Sequence, residues 1–277
     1  MTYIVACSGG VDSVVLLDMM SKTSHRLIVA HVDHGIREDS AEDARFVAAL
    51  AKRYRLPFIS TQLELGKEAS EERARKARYD FLLAEAAKHS AIIVTAHHLD
   101  DMVETIALNL TRGTGWRGLA VLDRAGLYRP LLQMAKQQLY DYALTHHLEW
   151  VEDSTNHSDR YLRNRLRAKL ARANSNKQAL SVLRARQLQL RKAILHETNR
   201  LIARHSGSRY FLTQLDTGVA VELFGEEIYR AVGVRPTRPQ LMRGLVAVKT
   251  AQAGTVCHVG DRMKLMISVR KYQISVL

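Results

Sequence analysis

The first 110 residues alternate short apolar runs with amphipathic stretches, and this alternation constrains the fold more than any other feature. Four apolar runs predict β-strands at residues 3–6, 27–32, 57–63 and 91–95. Amphipathic stretches predict helices at residues 13–20, 41–54, 70–88 and 100–110. Because the strands are apolar almost throughout, we expect helices on both faces of the sheet. The pattern therefore predicts an α/β fold with a doubly wound parallel sheet.

A glycine-containing turn separates the first predicted strand from the first predicted helix. Residues 8–13 read S-G-G-V-D-S. Two glycines let the backbone approach a ligand, and the N–H groups at a helix N-terminus favour an anion. Ser8 and Ser13 add hydroxyl donors, and Asp12 could cap the helix or hold a metal ion. The turn matches neither the Walker pattern nor G-x-G-x-x-G, so it is a different kind of nucleotide loop or a simple turn.

Five ionisable side chains lie within residues 97–104, where the fourth strand meets the fourth helix. The sequence there is H-H-L-D-D-M-V-E, and Asp101 and Glu104 are three residues apart, near one helical face. Acids at a helix start also serve as caps, so capping by Asp100 or Asp101 is the main alternative to a chemical role. A structural zinc site is disfavoured, because a closed set of four nitrogen and sulfur ligands is lacking.

The positive charge is concentrated in one segment. The chain of 277 residues has a formal net charge of +13. Residues 160–204 contain thirteen Lys or Arg residues and one acid, Glu197. The segment lacks Pro and Gly and predicts one or two long basic helices. A solvated helix face would normally mix charges of both signs, so we expect a polyanion such as RNA as the partner.

Residues 206–277 change in character and predict a small mixed α/β domain. Strand-like runs lie at residues 209–213, 264–268 and 272–276, and helical stretches at residues 219–232 and 239–250. We therefore expect a catalytic domain at residues 1–172, a basic helical connector at residues 173–205 and a small α/β domain at residues 206–277.

The cysteine count and the hydropathy favour the reducing cytoplasm. Cys7 and Cys257 are the two cysteines, too few for a disulfide framework or a four-thiolate metal site. No apolar run is long enough to span a bilayer, and we expect no signal peptide because the chain enters its first strand at once. We expect no membrane partner.

Residues 8–13 resemble the PP-loop, S-G-G-x-D-S, of the ATP pyrophosphatase superfamily. With further segments in family order, the chain is similar to the tRNA(Ile)-lysidine synthetase family. Those segments are H-V-D-H-G-I-R at 31–37, A-R with R-Y at 74–79, residues 95–105, R-G-T-G at 112–115, R-P-L-L at 129–132, E-D-S-T-N at 152–156 and R-N-R-L-R at 163–167. The resemblance is strong over residues 1–170. It is weaker over 206–277, which is similar to that family's tRNA-binding C-terminal domain.

The resemblance implies a two-step reaction on the wobble cytidine of an isoleucine tRNA with the anticodon CAU. ATP adenylates oxygen 2 of the cytosine, and the ε-amine of free lysine then attacks carbon 2 and releases AMP. It also implies ATP and Mg²⁺ as cofactors, tRNA(Ile) and free lysine as partners, and a homodimer.

The predicted site residues combine the loop, the acid cluster and the resemblance. Predicted catalytic residues are Asp12, Asp33, Asp101, Glu104 and Arg112. Predicted nucleotide contacts are Ala6, Ser8, Gly9, Gly10, Val11, Asp12, Ser13, His31 and Arg112, with Asp12 also the candidate magnesium ligand. Predicted lysine contacts are Asp100, Asp101, Glu104 and Asp141. Predicted tRNA contacts are Arg75, Arg163, Asn164, Arg167, Arg184, Arg186 and Arg191.

The chain departs from the family pattern where lysine is expected to bind. Family members often carry an acid in the helix after R-P-L-L, but here that helix begins K-Q-Q-L-Y-D. Either Asp141 or the acids near Asp100 replace that acid, or the pocket is reorganised. Two further alternatives stay open, because Arg112 could serve the helix dipole alone and Asp33 could cap a turn.

Other functions are also compatible with the loop. A PP-loop tRNA thiolase commonly uses paired cysteines or an iron–sulfur cluster, which two distant cysteines disfavour. NAD and GMP synthetases share the loop, but a long basic segment has no obvious purpose on their small substrates. A non-catalytic RNA-binding protein with a nucleotide pocket would not need the dense cluster of acids and histidines.

Overall fold

The chain forms two compact units, Met1–Leu188 and Gln189–Leu277. The computed structural model describes residues 1–33, 40–63, 71–152, 176–260 and 263–277. Each unit has a hydrophobic core of its own, and the division between the units falls within one long helix.

A parallel sheet of five strands forms the centre of the first unit. The strands are β1 (Thr2–Ala6), β2 (Arg26–Asp33), β3 (Phe58–Gln62), β4 (Ile92–Val94) and β5 (Leu127–Tyr128). Their order is β3-β2-β1-β4-β5, and every neighbouring pair is parallel. The four predicted strands are confirmed. The fifth has two residues, too few to give a periodic signal in the sequence.

Helices cover both faces of this sheet. They are α1 (Val11–Ser21), α2 (Ser40–Arg53), α3 (Glu71–Lys88), α4 (Leu99–Thr111) and α5 (Lys136–Thr145). Successive residues of a strand point to opposite faces, so Val5 packs with α1 and α5 whereas Ile4 packs with Leu82 of α3. We call these the α1 face and the α3 face. The doubly wound parallel fold is confirmed.

The topology fixes where a ligand can bind in this sheet. Strand β1 lies between β2 and β4, so the chain first builds one half of the sheet and then crosses to the other. In open α/β sheets, such a switch point opens a crevice beyond the carboxyl ends of the strands. The S-G-G-V-D-S loop follows β1 and the histidine–acid cluster follows β4, so both lie at this crevice.

The second unit is small and mixes helices with an antiparallel sheet. Helix α6 (Lys177–His205) crosses the division between the units and confirms a long basic helix over its described length. After it come α7 (Arg209–Gln214), α8 (Thr217–Val232), α9 (Arg238–Thr250), β6 (Val256–His258), β7 (Met263–Ile267) and β8 (Tyr272–Val276). The sheet order is β6-β7-β8, and Phe224, Leu245 and Leu265 lie in the core.

The prediction of a strand at residues 209–213 is wrong, because this segment forms α7. The Ser208 hydroxyl accepts a hydrogen bond from the Phe211 N–H at 3.3 Å and caps the helix. Leu212 is its buried side chain. A run of five or six residues is too short for its apolar pattern to separate a strand from a helix.

Within the described ranges, none of the helices combines the length and the apolar character needed to cross a membrane.

Candidate active site

The loop between β1 and α1 has the backbone geometry of a phosphate-binding turn. Gly9 has a φ of +92°, a conformation that side chains rarely adopt, and Gly10 precedes the first turn of α1. The Gly9 carbonyl accepts the Val151 N–H at 3.0 Å, which fixes the turn from outside. The unpaired N–H groups at the start of α1 are therefore presented at the end of the sheet.

Ser13 shapes this loop from within. Its buried hydroxyl donates to the Gly10 carbonyl at 2.8 Å and accepts the Ser8 N–H at 3.1 Å. The hydroxyl of Ser8 is exposed and lies 3.3 Å from that of Ser13. Of the two predicted hydroxyl donors, Ser8 is therefore the one on the open side.

The remaining predicted nucleotide contacts surround the loop. Ala6 ends β1, and Val11 is buried at the start of α1. His31 is buried on β2, and its Nδ1 lies 2.9 Å from the Cys7 carbonyl, just before the loop. Asp33 is buried at the end of the same strand. The structure thus brings β2 and the loop together at one edge of the sheet.

Asp12 forms an ion pair with a lysine that we did not predict. Lys136, the first residue of α5, donates from Nζ to both Asp12 oxygens, at 2.6 and 2.8 Å. Both side chains are about one third exposed, at 34% for Lys136 and 29% for Asp12. The ammonium therefore occupies the carboxylate that we expected to hold a metal ion.

Asp100 forms a second contact of this kind and joins three helices. Its Oδ2 accepts the backbone N–H of Lys136 at 2.9 Å, and its Oδ1 accepts the ammonium of Lys177 in α6. His98 first, and then Lys177 and that N–H, hold the pKa of Asp100 well below its usual range. We call Asp12, Asp100, Lys136 and Lys177 the acid–lysine cluster.

The buried His98 lies against the acid–lysine cluster. Its Nε2 is 3.7 Å from Asp12 Oδ2 and 3.5 Å from Asp101 Oδ2. Its Nδ1 is 3.7 Å from Asp100, too far for a hydrogen bond, and has no such partner among the described residues. Burial alone would lower the pKa of His98, but the carboxylates of Asp100, Asp101 and Asp12 outweigh it and raise the pKa.

Among the acids at residues 100–104, Asp100 and Asp101 cap helices, as the alternative interpretation of the sequence predicts. Asp101 Oδ2 accepts the His98 backbone N–H at 3.0 Å, so this acid caps the start of α4. Asp100 in turn caps α5 through the Lys136 N–H. Glu104 is buried one turn into α4. The acids therefore position helix ends and also surround His98.

Two predicted catalytic or lysine-binding residues lie apart from this cluster. Arg112 is exposed at the other end of α4. At about 1.5 Å per residue, it is roughly 18 Å from Asp100 along the helix axis. Asp141 is exposed on α5, where it accepts a hydrogen bond from Gln137 at 2.9 Å. Their roles stay predictions.

The predicted tRNA contacts are partly outside the described residues, partly on α3 and α6, and in one case, Arg184, buried. Arg163, Asn164 and Arg167 lie outside the described residues. Arg75 lies on α3, with Arg186 exposed and Arg191 half-buried on α6.

Arg184 differs from the prediction that it contacts tRNA. It is buried, and it donates to the carbonyls of Val121 at 2.8 Å and Leu122 at 3.3 Å. Its guanidinium therefore anchors α6 within the first unit and is not presented to solvent.

Among the described residues, no group of three or more His, Cys, Asp or Glu side chains is arranged to hold a metal ion. Magnesium needs fewer protein ligands, because it is commonly held by one or two carboxylates together with substrate phosphates. Asp12, beside the loop, offers such a carboxylate.

Sequence reasoning missed Lys136 and Lys177, although one signal was present. A cation in the first turn of a helix opposes the helix dipole, so Lys136 after R-P-L-L called for a nearby acid. No comparable signal marks Lys177, because its partner is 77 residues away in the chain.

Comparison with known proteins agrees with this geometry. Residues 1–174 match the PP-loop domain family. A tRNA(Ile)-lysidine synthase from Actinobacillus pleuropneumoniae is 37% identical over 172 residues, which cover 60% of this chain and 41% of that protein. One from Haemophilus ducreyi is 39% identical over 171 residues, 59% of this chain and 40% of that protein. The matched stretch thus spans about two fifths of the length of these relatives.

Among solved structures, the U34-tRNA thiolase NcsA from Methanococcus maripaludis, described with its [4Fe-4S] cluster, is similar with a TM-score of 0.57. It is 16% identical, and the match covers 69% of this chain and 72% of that one. At this identity the likeness concerns the fold alone. With the loop, the sheet order and the family match in agreement, the chain belongs to the PP-loop domain family.

Proposed function

We propose that this protein makes lysidine at the wobble cytidine of tRNA(Ile) with the anticodon CAU, using ATP and free lysine. The observation that carries the proposal is the PP-loop at the switch point of the sheet, within a stretch 37% identical to a tRNA(Ile)-lysidine synthase. The thiolase alternative is weaker, because its paired cysteines or cluster ligands have no counterpart in a sequence with two distant cysteines.

In this proposal, the loop binds the phosphates of ATP. The N–H groups at the start of α1 and the exposed Ser8 hydroxyl donate to phosphate oxygens. The internal hydrogen bonds of Ser13 keep the loop in shape without a ligand, which lowers the entropy cost of binding.

Magnesium fits the donor chemistry of Asp12, provided that Lys136 yields the carboxylate. When bound, the ion would neutralise charge on the triphosphate and on the departing pyrophosphate. Lys136 is the second cation at this point, and its ammonium needs only to turn from Asp12 towards the phosphates. Together they would offset the repulsion between the triphosphate and the acids of the cluster.

The acid–lysine cluster supports a site for the lysine substrate. Its carboxylates already bind two ammonium groups, those of Lys136 and Lys177. We propose that free lysine binds at this cluster, with Asp101 and Glu104 as further candidates. This would replace the acid that the helix after R-P-L-L lacks.

The amine of lysine must lose a proton before it attacks. With a pKa near 10.4, only about one molecule in ~2,500 is neutral at pH 7, which corresponds to about 4.6 kcal/mol. An effective base has a pKa near the working pH. Burial, and then the charges of Arg129, Arg75 and Arg78, lower the pKa of His97 to about 3, so it is too weak a base. His98, whose pKa is raised, is the better candidate.

The basic helix and the second unit are proposed to hold the tRNA. Arg186 and Arg191 on α6, with Arg163, Asn164 and Arg167, would contact backbone phosphates. We also propose the domain boundaries predicted from the sequence, with residues 206–277 as a tRNA-binding domain, and a homodimer.

A reconstitution experiment tests the proposal. The purified protein is incubated with ATP, Mg²⁺, labelled lysine and a transcript of tRNA(Ile) with a CAU anticodon. We expect label in the RNA and one pyrophosphate for each lysine incorporated. A transcript with a UAU anticodon is the control and should gain no label. Turnover that needs a sulfur donor would support a thiolase instead, and the absence of all turnover would refute an enzymatic role.

A further inference from the structure

A second group of charged side chains lies on the α3 face, and it contains arginines. The guanidinium carbons of Arg75, Arg78 and Arg124 are 5.2, 5.6 and 5.4 Å from the centre of the Tyr79 ring. Tyr79 itself is buried, with 6% of its surface exposed. Three guanidinium groups thus lie around one aromatic ring, although cations placed this close together repel one another.

A fourth arginine extends this group. Arg129 directly follows β5, and its Nη1 donates to the Leu122 carbonyl at 2.9 Å. Burial first, and then the charges of Arg129, Arg75 and Arg78, lower the pKa of the nearby His97 to about 3. His97 is therefore neutral at pH 7 and does not add to the charge. We call Arg75, Arg78, Arg124 and Arg129 the arginine cluster.

Two buried polar atoms at this cluster lack a hydrogen-bond partner among the described residues. They are the hydroxyl of Tyr79 and Nε of Arg129, on residues with 6% and 9% of their surface exposed. Within the same part of the chain, no carboxylate pairs with Arg75, Arg124 or Arg129. A buried donor without an acceptor is costly, so a ligand that brings acceptor oxygens to these donors would be stabilised here.

We propose that the arginine cluster binds a phosphate group, and that this phosphate belongs to the backbone of the bound RNA. The planar guanidinium matches phosphate oxygens with two parallel hydrogen bonds, and the Tyr79 hydroxyl adds a second kind of donor. The inference rests on the proposed function, because that function supplies the RNA.

The position of the cluster favours RNA over ATP as the source of the phosphate. Helix α1, which begins at the loop, packs on one face of the sheet, whereas α3 packs on the other. A triphosphate held by the loop therefore lies at the start of α1, whereas Arg75 and Arg78 belong to α3. A polynucleotide can reach both faces at once, because its phosphates repeat along the chain.

Single and double substitutions test this site in the full chain. Arg75→Gln, Arg124→Gln and the double variant remove charge, and Tyr79→Phe removes the unpaired hydroxyl while keeping the ring. Lys76→Gln is the matched control, because Lys76 lies on the same helix but pairs with Asp80 at 2.6 Å and is 77% exposed. Thermal melting shows that each variant is folded.

Two binding measurements separate the possible sources of the phosphate. In the first, a CAU-anticodon transcript is titrated without ATP at several salt concentrations; in the second, ATP is titrated without RNA. We expect the double variant to bind RNA roughly tenfold more weakly, with a salt slope lower by about one to two, and to bind ATP normally. Tyr79→Phe should weaken RNA binding about threefold.

An unchanged RNA affinity together with a loss of ATP affinity would overturn the RNA assignment. It would mean that the arginine cluster binds a phosphate of ATP. If the double variant matches Lys76→Gln in both titrations, the phosphate site itself is wrong. Neither titration requires turnover. If RNA binding responds as expected but no lysine is incorporated, the proposed reaction fails and the phosphate site stands.

Discussion

Two clusters of charged side chains in the first unit differ in how their charges are balanced. In the acid–lysine cluster, each lysine faces a carboxylate from another helix, so the charges cancel within the protein. In the arginine cluster, cations gather on Tyr79, and two buried donors lack acceptors in the described part of the chain. A ligand at the first cluster must therefore separate charges that already pair within the protein. A ligand at the second, as we propose, would add the acceptors that the described residues do not supply.

The strongest test of this comparison is Asp12→Ala. Removing this carboxylate takes away the candidate magnesium ligand, so we expect pyrophosphate release to fall on the order of a thousandfold. RNA binding should be unchanged, because the arginine cluster and α6 are intact. Release of labelled pyrophosphate and filter binding of RNA measure the two effects. Asp80→Asn, an exposed acid on α3, is the control. Near-normal pyrophosphate release would remove Asp12 from the mechanism.

Lys136→Gln tests whether the lysine serves the nucleotide. Without its ammonium, the carboxylates of Asp12 and Asp100 repel the triphosphate, so ATP affinity should fall about ten- to a hundredfold. Lys136→Arg keeps the charge and should recover most of the affinity. Equilibrium dialysis with labelled ATP provides the measurement. Tighter ATP binding by Lys136→Gln would mean that the lysine merely blocks the site.

Arg184→Ala tests whether Arg184 stabilises the segment that also holds Arg129 of the arginine cluster. Arg184 and Arg129 both donate to the Leu122 carbonyl, in a residue with a φ of +53°. Losing the buried guanidinium should lower the free energy of unfolding by about 2 kcal/mol. Denaturant titration measures this loss. Arg186→Ala, two residues along the same helix but exposed, should leave the stability unchanged and lower the salt slope of RNA binding by about one. Equal stability of the two variants would contradict the anchoring role.

The smallest expected effect concerns acid stability on the α1 face. Asp18 accepts hydrogen bonds from Tyr54 at 2.8 Å and Tyr142 at 2.7 Å, and it pairs with Lys22. Burial alone would raise its pKa, but these partners outweigh it and lower the pKa of Asp18 below the usual range. The resulting stability is present above pH ~4 and is lost as the pH falls through the lower pKa of the folded state.

Asp18→Asn should remove this pH dependence, which we expect to be about 1 kcal/mol because solvent screens the exposed Lys22. Unfolding midpoints measured between pH 6 and pH 2 would show it. A pH profile identical to that of the parent protein would mean that Asp18 carries no such linkage.

The sequence predicted the parts of the fold that depend on local pattern. Four strands and the loop at residues 8–13 were readable, because apolar runs, glycines and a helix start lie close together in the chain. The segment at residues 209–213 was misread, because the cap at Ser208 is a better guide there than the apolar pattern. The two-residue β5 exists only through its pairing with β4.

The candidate site was predictable in its acids and not in its pairings. Asp12 and Asp100 could be singled out from the residues around them, but Lys136 is 124 residues from Asp12. Arg184 shows the converse error. It stands in a run of exposed basic residues, and only the packing of α6 against Val121 and Leu122 reveals that it is buried. Counting charged residues in the sequence predicts that the surface of α6 is positive. Only the tertiary contacts show which of these residues are on that surface.

The shared carboxylate of Asp100 has a consequence for how this sequence can vary. One oxygen holds the start of α5 through a backbone N–H, and the other holds Lys177 of α6, while Asp100 itself belongs to α4. A replacement of Asp100 or Lys177 therefore changes the environment of the other. Residues 100 and 177 are therefore expected to covary among relatives. Residue 136 contributes its main chain to this contact, and its side chain contacts Asp12 and the ring of Tyr140 instead.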